Sequence, residues 1–212
     1  ETKGIASWLT DNRKNQYVSE MILDPKTRRF VSRSYTKQAF KGGSVERTTA
    51  RIEAKKRAVH WKFFSNENLI AEGTDPIPED LQYEDLLSAF FNFRNGGYGP
   101  LEPGRKMTVF TLPDYRAMAR DEMERSKPER AQKFKIYIAD RETESKYRKK
   151  YGRTKENGLL ALVKVPNDLF GQTTGEIRVW FNLNLTPVAA TVEDAIFFGD
   201  VHGTLIKSEI RR

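Results

Sequence analysis

The regular alternation of apolar and polar side chains is the feature that most restricts the fold of this chain. Val59, Trp61 and Phe63 alternate with more polar neighbours, and a period of two recurs over 133–138 and 177–181. This period is typical of strands with one buried and one wetter face. Less regular segments near 17–23, 28–37, 44–54, 105–112, 159–165, 187–194 and 201–207 are also predicted strands. Many short strands separated by turn signals favour an antiparallel meander, sandwich or barrel.

One segment, residues 80–94, has the pattern of a helix. It follows Pro78 and ends before Asn95-Gly96-Gly97, which are typical start and stop signals. Its apolar positions cover most sides, so we expect it to be buried against or inside a curved sheet. These positions are Tyr83, Leu86, Leu87, Ala89, Phe90, Phe91 and Phe93. The stretch 114–130 also has helical character, but it is polar and is predicted to be a surface insertion, as is the charged run 141–155.

Together these patterns predict a fold class. We expect one mainly β domain over residues 1–212, with an antiparallel curved sheet or a partly open β-barrel or sandwich, one buried helix and a polar helical excursion. The chain contains no cysteine, which excludes disulfides and thiolate chemistry. No apolar run approaches the roughly 18 residues of a membrane-spanning helix, so we do not expect the chain to span a membrane.

The charge is basic and dispersed. Lys and Arg total 37 against 29 Asp and Glu, a formal net charge of +8. A basic surface favours anionic partners such as nucleic acid, lipid headgroups or acidic glycans. Each basic cluster has acidic neighbours, and no nucleic-acid-binding motif is present, so nucleic acid is the least expected of these partners.

Few residue patterns suggest catalysis. The two histidines, His60 and His202, belong to no metal-binding or triad spacing and are interpreted as one surface and one structural residue. Two carboxylate pairs could in principle provide acid–base chemistry, but solvated side chains are the simpler interpretation. These pairs are Glu84-Asp85 and Glu142/Glu144. The glycine-rich loop 95–100 follows a helix rather than preceding one, which predicts a helix end and not a phosphate site. We therefore expect no catalytic residue, no metal and no cofactor, and we do not expect an enzyme.

The aromatic content suggests a different kind of site. The chain has 13 Phe, 8 Tyr and 3 Trp. A β cup lined by Trp61, Phe63 and Trp180, and closed by Phe90 and Phe93 of the predicted helix, could hold an apolar ligand. Ordinary core packing is the simpler interpretation of the same five residues.

Several motifs resemble one family. They are Asp85 to Arg94, then Pro100-Leu101-Glu102-Pro103-Gly104, Leu162 to Pro166, Trp180-Phe181-Asn182, Pro187-Val188, and finally Phe198-Gly199 with Leu205; an earlier turn is Asp24-Pro25-Lys26-Thr27. In this order, over about 17–207, they resemble the bacterial envelope proteins of domain-of-unknown-function family 3108. The resemblance implies a location in the periplasm or cell envelope and an antiparallel β architecture, but no activity. Members usually begin with an additional strand pair, for which residues 1–16 are too short, so we expect a trimmed or absent first hairpin.

Two hypotheses on function remain open from the sequence. The first is a non-catalytic envelope protein that binds a lipid or another amphiphile in a curved β sheet. The alternative is an envelope module that binds another protein or a glycan and takes no small ligand.

Overall fold

The computed structural model describes residues 14–79, 81–120, 131–151, 158–165, 175–192 and 201–207. The chain divides into two compact units, which we call unit 1 (1–97 and 110–132) and unit 2 (98–109 and 133–212). The sequence contains no linker at which this division could be predicted, because the chain passes between the units within strands and short loops.

Unit 1 contains a five-stranded antiparallel meander in the order β1–β2–β3–β4–β5. The strands are β1 (Lys14–Leu23), β2 (Phe30–Lys41), β3 (Ser44–Glu53), β4 (Ala58–Ser65) and β5 (Asn68–Pro76), with a 3-10 turn at Ala54–Lys56. Strand β5 was missed in the sequence. The register shifts between Phe63 and Phe64, which pair with Ala71 and Leu69, so Ile70 is an extra residue that breaks the period of two.

Helix α1 (Leu86–Arg94) is shorter than predicted because Asp85 caps it. The Asp85 carboxylate accepts hydrogen bonds from the backbone N–H groups of Leu87 and Ser88, at 2.7 and 3.1 Å. The prediction of a buried apolar stripe is wrong in part. Besides Ala89 and Phe93, the buried positions are Ser88 and Asn92, while Phe91 is exposed.

Helix α2 (Tyr115–Arg120) contradicts the prediction of a polar surface insertion for the part of 114–130 that is described. Tyr115 is only 2% exposed, and its ring stacks on Trp61 with 5.0 Å between centroids. Burial of this one large aromatic side chain therefore holds the helix against the core of unit 1, although most of its neighbours in the sequence are polar. Residues 121–130 lie outside the described residues.

The second sheet has six strands in the order β11–β10–β9–β8–β7–β6. They are β6 (Lys106–Thr111), β7 (Gln132–Ile138), β8 (Gly158–Lys164), β9 (Glu176–Asn182), β10 (Pro187–Val192) and β11 (Val201–Thr204). Helix α3 (Arg141–Lys150) lies within the charged run predicted to be an insertion. The mainly β, antiparallel architecture is confirmed, and both sheets remain open over the described residues. No helix in the described ranges is long and apolar enough to cross a bilayer.

Candidate functional site

The predicted ligand-site aromatics of β4 lie inside the core of unit 1. Trp61 and Phe63 are 7% and 2% exposed and share a cluster with Tyr83 and Tyr115. Gly73 lies opposite Trp61 on β5, and a Cβ atom there would come within 2.8 Å of the indole ring. The side chains therefore fill the space beside one another, as core residues do.

The other three predicted site residues are divided between the units. Phe93 is buried in unit 1, and Phe90 is half-buried with its ring 5.9 Å from that of Phe91. Trp180 is a core residue of unit 2, with the Arg148 guanidinium 4.8 Å from its ring centroid. None of the five lines the grooves described below, so their role in ligand binding stays a prediction.

The Asp85 carboxylate is fully buried, and its hydrogen-bond partners belong to the sheet and to the helix that it caps. Its Oδ2 atom accepts hydrogen bonds from Ser19 Oγ at 2.5 Å and from Ser32 Oγ at 2.6 Å. The register of β1 and β2 brings both serines to one face of the sheet. Glu20 pairs with Ser34 but Met21 pairs with Ser32, so Arg33 of β2 has no partner on β1. This irregularity turns Ser32 toward the helix cap.

The neighbouring Glu84 is also buried, and it holds the other end of α1. It pairs with the Arg29 guanidinium and accepts a hydrogen bond from Asn92 Nδ2 at 3.0 Å. The Asn92 amide also accepts from the Phe30 N–H at 2.6 Å and donates to the Phe30 carbonyl at 2.8 Å. A general acid or base must reach a substrate, whereas these two carboxylates are engaged in docking the helix on the sheet.

The remaining candidates for chemistry, apart from Glu142, also have structural partners. Glu144 pairs with Arg148 one helical turn away at 2.6 Å, and Glu142 is exposed. His60 Nδ1 lies 2.8 Å from a threonine hydroxyl in unit 1, and His202 Nδ1 lies 3.0 Å from one in unit 2. The described residues contain no group of three or more His, Cys, Asp or Glu side chains that could hold a metal ion.

The glycine-rich loop ends helix α1, as the sequence predicted. The N–H groups of Gly96 and Gly97 donate to the carbonyls of Phe93 and Asn92, at 3.2 and 2.7 Å. Gly96 has φ of 69°, the left-handed conformation that commonly follows a helix. Because these N–H groups are already used by the helix, they are not free to hold a phosphate.

The most promising site is a groove on the second sheet, which we call the lysine groove. It has a volume of about 710 Å³, and its lining includes Lys106, Lys135, Lys164, Tyr137, Leu162 and Glu176. Lys135, Lys164 and Glu176 are direct partners across β7, β8 and β9. Directly paired residues point to the same face of a sheet, so strand pairing brings these distant residues together.

The groove has an excess of positive charge. Glu176, the one carboxylate among the described residues of its lining, accepts a hydrogen bond from Arg178 Nη2 at 2.9 Å, and Arg178 is only 4% exposed. Two tyrosines hold Arg178 in turn. Its guanidinium lies 4.4 Å from the ring centroid of Tyr147 in helix α3, and its Nη1 atom donates to the hydroxyl of Tyr151, the residue after that helix, at 2.8 Å. The buried arginine lies two residues along β9 on the same face of the sheet and neutralises the glutamate.

The three lysines themselves remain available. Within the described part of the chain, none of their ammonium groups forms an ion pair; Lys106 lies 5.9 Å from the Tyr137 ring centroid. Leu162 and Tyr137 are half-buried and provide apolar surface between the charges. An anion with an attached apolar group is the ligand that such a lining suits.

Sequence reasoning missed this groove for two reasons. Its lysines are far apart in the chain; the sequence pattern assigned Lys135 to the wetter face of a strand, Lys106 to a dispersed basic cluster, and no separate role to Lys164. One signal for the groove was available, because Lys135 and Lys164 lie on predicted strands that follow each other in the chain and could pair. The register that places the two lysines opposite each other could not be predicted. The sequence also assigned Arg178 to the wetter face of β9, whereas α3 buries it.

Comparisons with known proteins add little to this picture. No family model matches the chain, and no curated protein matches it. The chain is similar to the crystal structure of a beta-barrel-like protein of domain of unknown function DUF1849 from Brucella abortus, at 10% sequence identity and a TM-score of 0.39, over 91% of this chain and 87% of that chain. A similarity at this level identifies neither a family nor an activity.

Proposed function

We propose that this protein is a non-catalytic protein of the bacterial periplasm or cell envelope, and that it binds an anionic amphiphile in the lysine groove. The observation that carries the ligand proposal is the set of three lysines without ion-pair partners among the described residues, arranged around Leu162 and Tyr137. The proposed location is supported by the resemblance to family 3108 in the sequence.

The groove suits recognition by side chains. Strands β7, β8 and β9 pair directly beneath it, so their backbone groups are used within the sheet. A ligand therefore meets ammonium groups for its head and apolar side chains for its tail. The volume of about 710 Å³ falls within the range of roughly 300–1,000 Å³ that is usual for small-ligand sites.

A non-catalytic role is supported by the surroundings of the acidic and phenolic groups. The carboxylates of Glu84 and Asp85 hold helix α1, and Arg178 holds Glu176 in the groove. Burial, with the nearby charge of Asp75, raises the pKa of Tyr115 far above its ordinary value, so this phenol stays protonated. Glu84, Asp85 and Tyr115 are buried, whereas a group in acid–base catalysis must reach the substrate.

Titration calorimetry with two lysophospholipids of the same chain length, both below their micelle concentration, tests the proposal. Lysophosphatidylglycerol should bind, and zwitterionic lysophosphatidylcholine should bind at least tenfold more weakly. Since each lysine near an anionic headgroup contributes about 1 kcal/mol, the double substitution Lys135→Glu with Lys164→Glu should weaken binding by tenfold or more.

The control is Lys62→Glu, which reverses one charge on the exposed side of β4 and is compared with Lys135→Glu and Lys164→Glu as single substitutions. It should leave binding unchanged. Equal affinity for the two lipids, or an equal effect of the groove and control substitutions, would overturn the proposed ligand class. Fractionation of cells that express the natural protein tests the location separately, and recovery in the cytosol would overturn that part.

A further inference from the structure

The first sheet is incompletely paired at one end. Partners between β2 and β3 run from Ser34 and Arg51 to the hairpin at Lys41 and Ser44. Before Ser34, the residues of β2 remain beside β1, as far as the pair of Leu23 with Phe30. After Arg51, the last residues of β3 remain beside β4. The two strands therefore part at this point.

A groove lies where the strands part, and we call it the strand gap. Its volume is about 710 Å³. Apolar residues from three strands line it, namely Ile22, Val31 and Ile52, and Ile22 is 42% exposed. The gap thus combines apolar surface with the edge of a strand that has a neighbour on one side only.

The same edge already forms hydrogen bonds, one donated and one accepted, with a group outside the sheet. At Phe30 the side-chain amide of Asn92 takes both the backbone N–H and the carbonyl, at 2.6 and 2.8 Å. Asn92 therefore bonds to β2 there as a neighbouring strand would. Between Phe30 and the first pair with β3 at Ser34, residues 31–33 of the edge have no strand partner on this side and line the gap over about 10 Å, at roughly 3.3 Å per residue.

The charge of the strand gap is positive. Lys56 lies 2.9 Å from Glu53 and holds the pKa of that carboxyl below its ordinary value, so this pair is neutral overall. Across the described residues, no ion pair involves the other three cations of the lining, Arg33, Arg51 and Lys55. Glu20 is the one other carboxylate among the described residues of the lining.

We infer that the strand gap binds an extended, acidic peptide segment of another protein. An extended peptide can add main-chain hydrogen bonds to an open strand edge, with alternate side chains entering pockets. Alternating apolar and acidic residues would match the isoleucine and valine surface and the cations around it. This site is distinct from the lysine groove, where the sheet is paired and only side chains are available.

Fluorescence anisotropy with a labelled heptapeptide of alternating glutamate and valine tests the inference. The natural protein should bind it at least tenfold more tightly than the corresponding serine–valine and lysine–valine peptides. Arg51→Glu with Lys55→Glu should weaken binding by tenfold or more, and each single substitution should weaken it measurably, while the single control Lys62→Glu should not change it. Both altered side chains are exposed, and the milder pair Arg51→Gln with Lys55→Gln should weaken binding in the same direction even if the glutamate variant fails to fold.

Hydrogen–deuterium exchange locates the site. The acidic peptide should slow exchange in residues 30–34 and 51–56. Equal affinity for the acidic and serine-containing peptides, or protection confined to other strands, would overturn the inference. Protection of these segments by phosphatidylglycerol vesicles but not by the peptide would also overturn it, in favour of a membrane surface as the partner.

Discussion

Replacement of Asp85 by alanine should lower the free energy of unfolding by about 4 kcal/mol. The carboxylate performs two tasks in unit 1: it caps helix α1 through its Oδ1 atom, and it accepts from two serine hydroxyls through Oδ2. Loss of a helix cap costs about 1 kcal/mol. Each hydrogen bond to a charged acceptor contributes about 1.5 kcal/mol at the lower end of the usual range.

The lower value for each hydrogen bond applies because both serine hydroxyls keep another partner when the carboxylate is removed. Ser32 is buried but retains Ser88 Oγ at 2.6 Å, and Ser19 is only half-buried and can turn toward water. Neither hydroxyl is therefore left without a partner, so one cap and two hydrogen bonds sum to about 4 kcal/mol. Asp85→Asn keeps an oxygen for the cap but places an amide donor toward the hydroxyls, and about half of this loss is expected.

Urea denaturation followed by far-ultraviolet circular dichroism measures the change, with the slope of the transition checked for each variant. Asp140→Ala is the matched control, because Asp140 also caps a helix through the Thr143 N–H at 2.8 Å but is only half-buried. It should destabilise the protein less. A loss below about 1 kcal/mol for Asp85→Ala, or equal losses for alanine and asparagine, would refute the assignment of Asp85 to a buried structural network.

Three further predictions concern other parts of the two units. Gly73→Ala should destabilise the protein by about 1–3 kcal/mol in urea, because the new Cβ would lie 2.8 Å from a buried indole, whereas Gly203→Ala, with its nearest atom at 4.0 Å, should cause no loss. Backbone and hydroxyl hydrogen bonds hold the pKa of Asp140 below its ordinary 3.8, so the carboxylate stabilises α3 above that pH and the contribution is lost as the pH falls below it. Carbon chemical shifts of α3 should therefore show loss of helix on acidification, and Asp140→Asn should remove that pH dependence. Arg178→Met should cost about 3 kcal/mol in the same denaturation assay, because Glu176 is left without its buried cation, and an unchanged midpoint would contradict that role.

Much of the architecture could be predicted because it depends on local patterns. The period of two at 133–138 depends only on which side chains avoid water, and it identified β7 within a residue of its bounds. The end of α1 at Asn95 to Gly97 was also predictable, because the left-handed position after a helix has a strong preference for glycine. Where the local pattern was irregular, as at Ile70 of β5, the prediction failed.

The site residues were less predictable because burial of polar groups depends on distant partners. Glu84 and Asp85 resembled solvated or catalytic carboxylates in the sequence, and their arginine, asparagine and serine partners lie 8 to 66 residues away. The polar helix face of Ser88 and Asn92 is buried for the same reason. Charge and hydropathy of single residues carry no information on such partners.

The sequence by itself determined the class of the fold, the positions of most strands, the basic character of the surface and the end of helix α1, because each follows from the chemistry of neighbouring residues. Only the tertiary structure decided which charges are neutralised and which remain available. Lys135 and Lys164 gain their significance from a strand register that places them side by side, next to the Glu176–Arg178 pair. Hydrogen bonding between strands fixes that register, and it joins residues whose separation along the chain leaves no local signal.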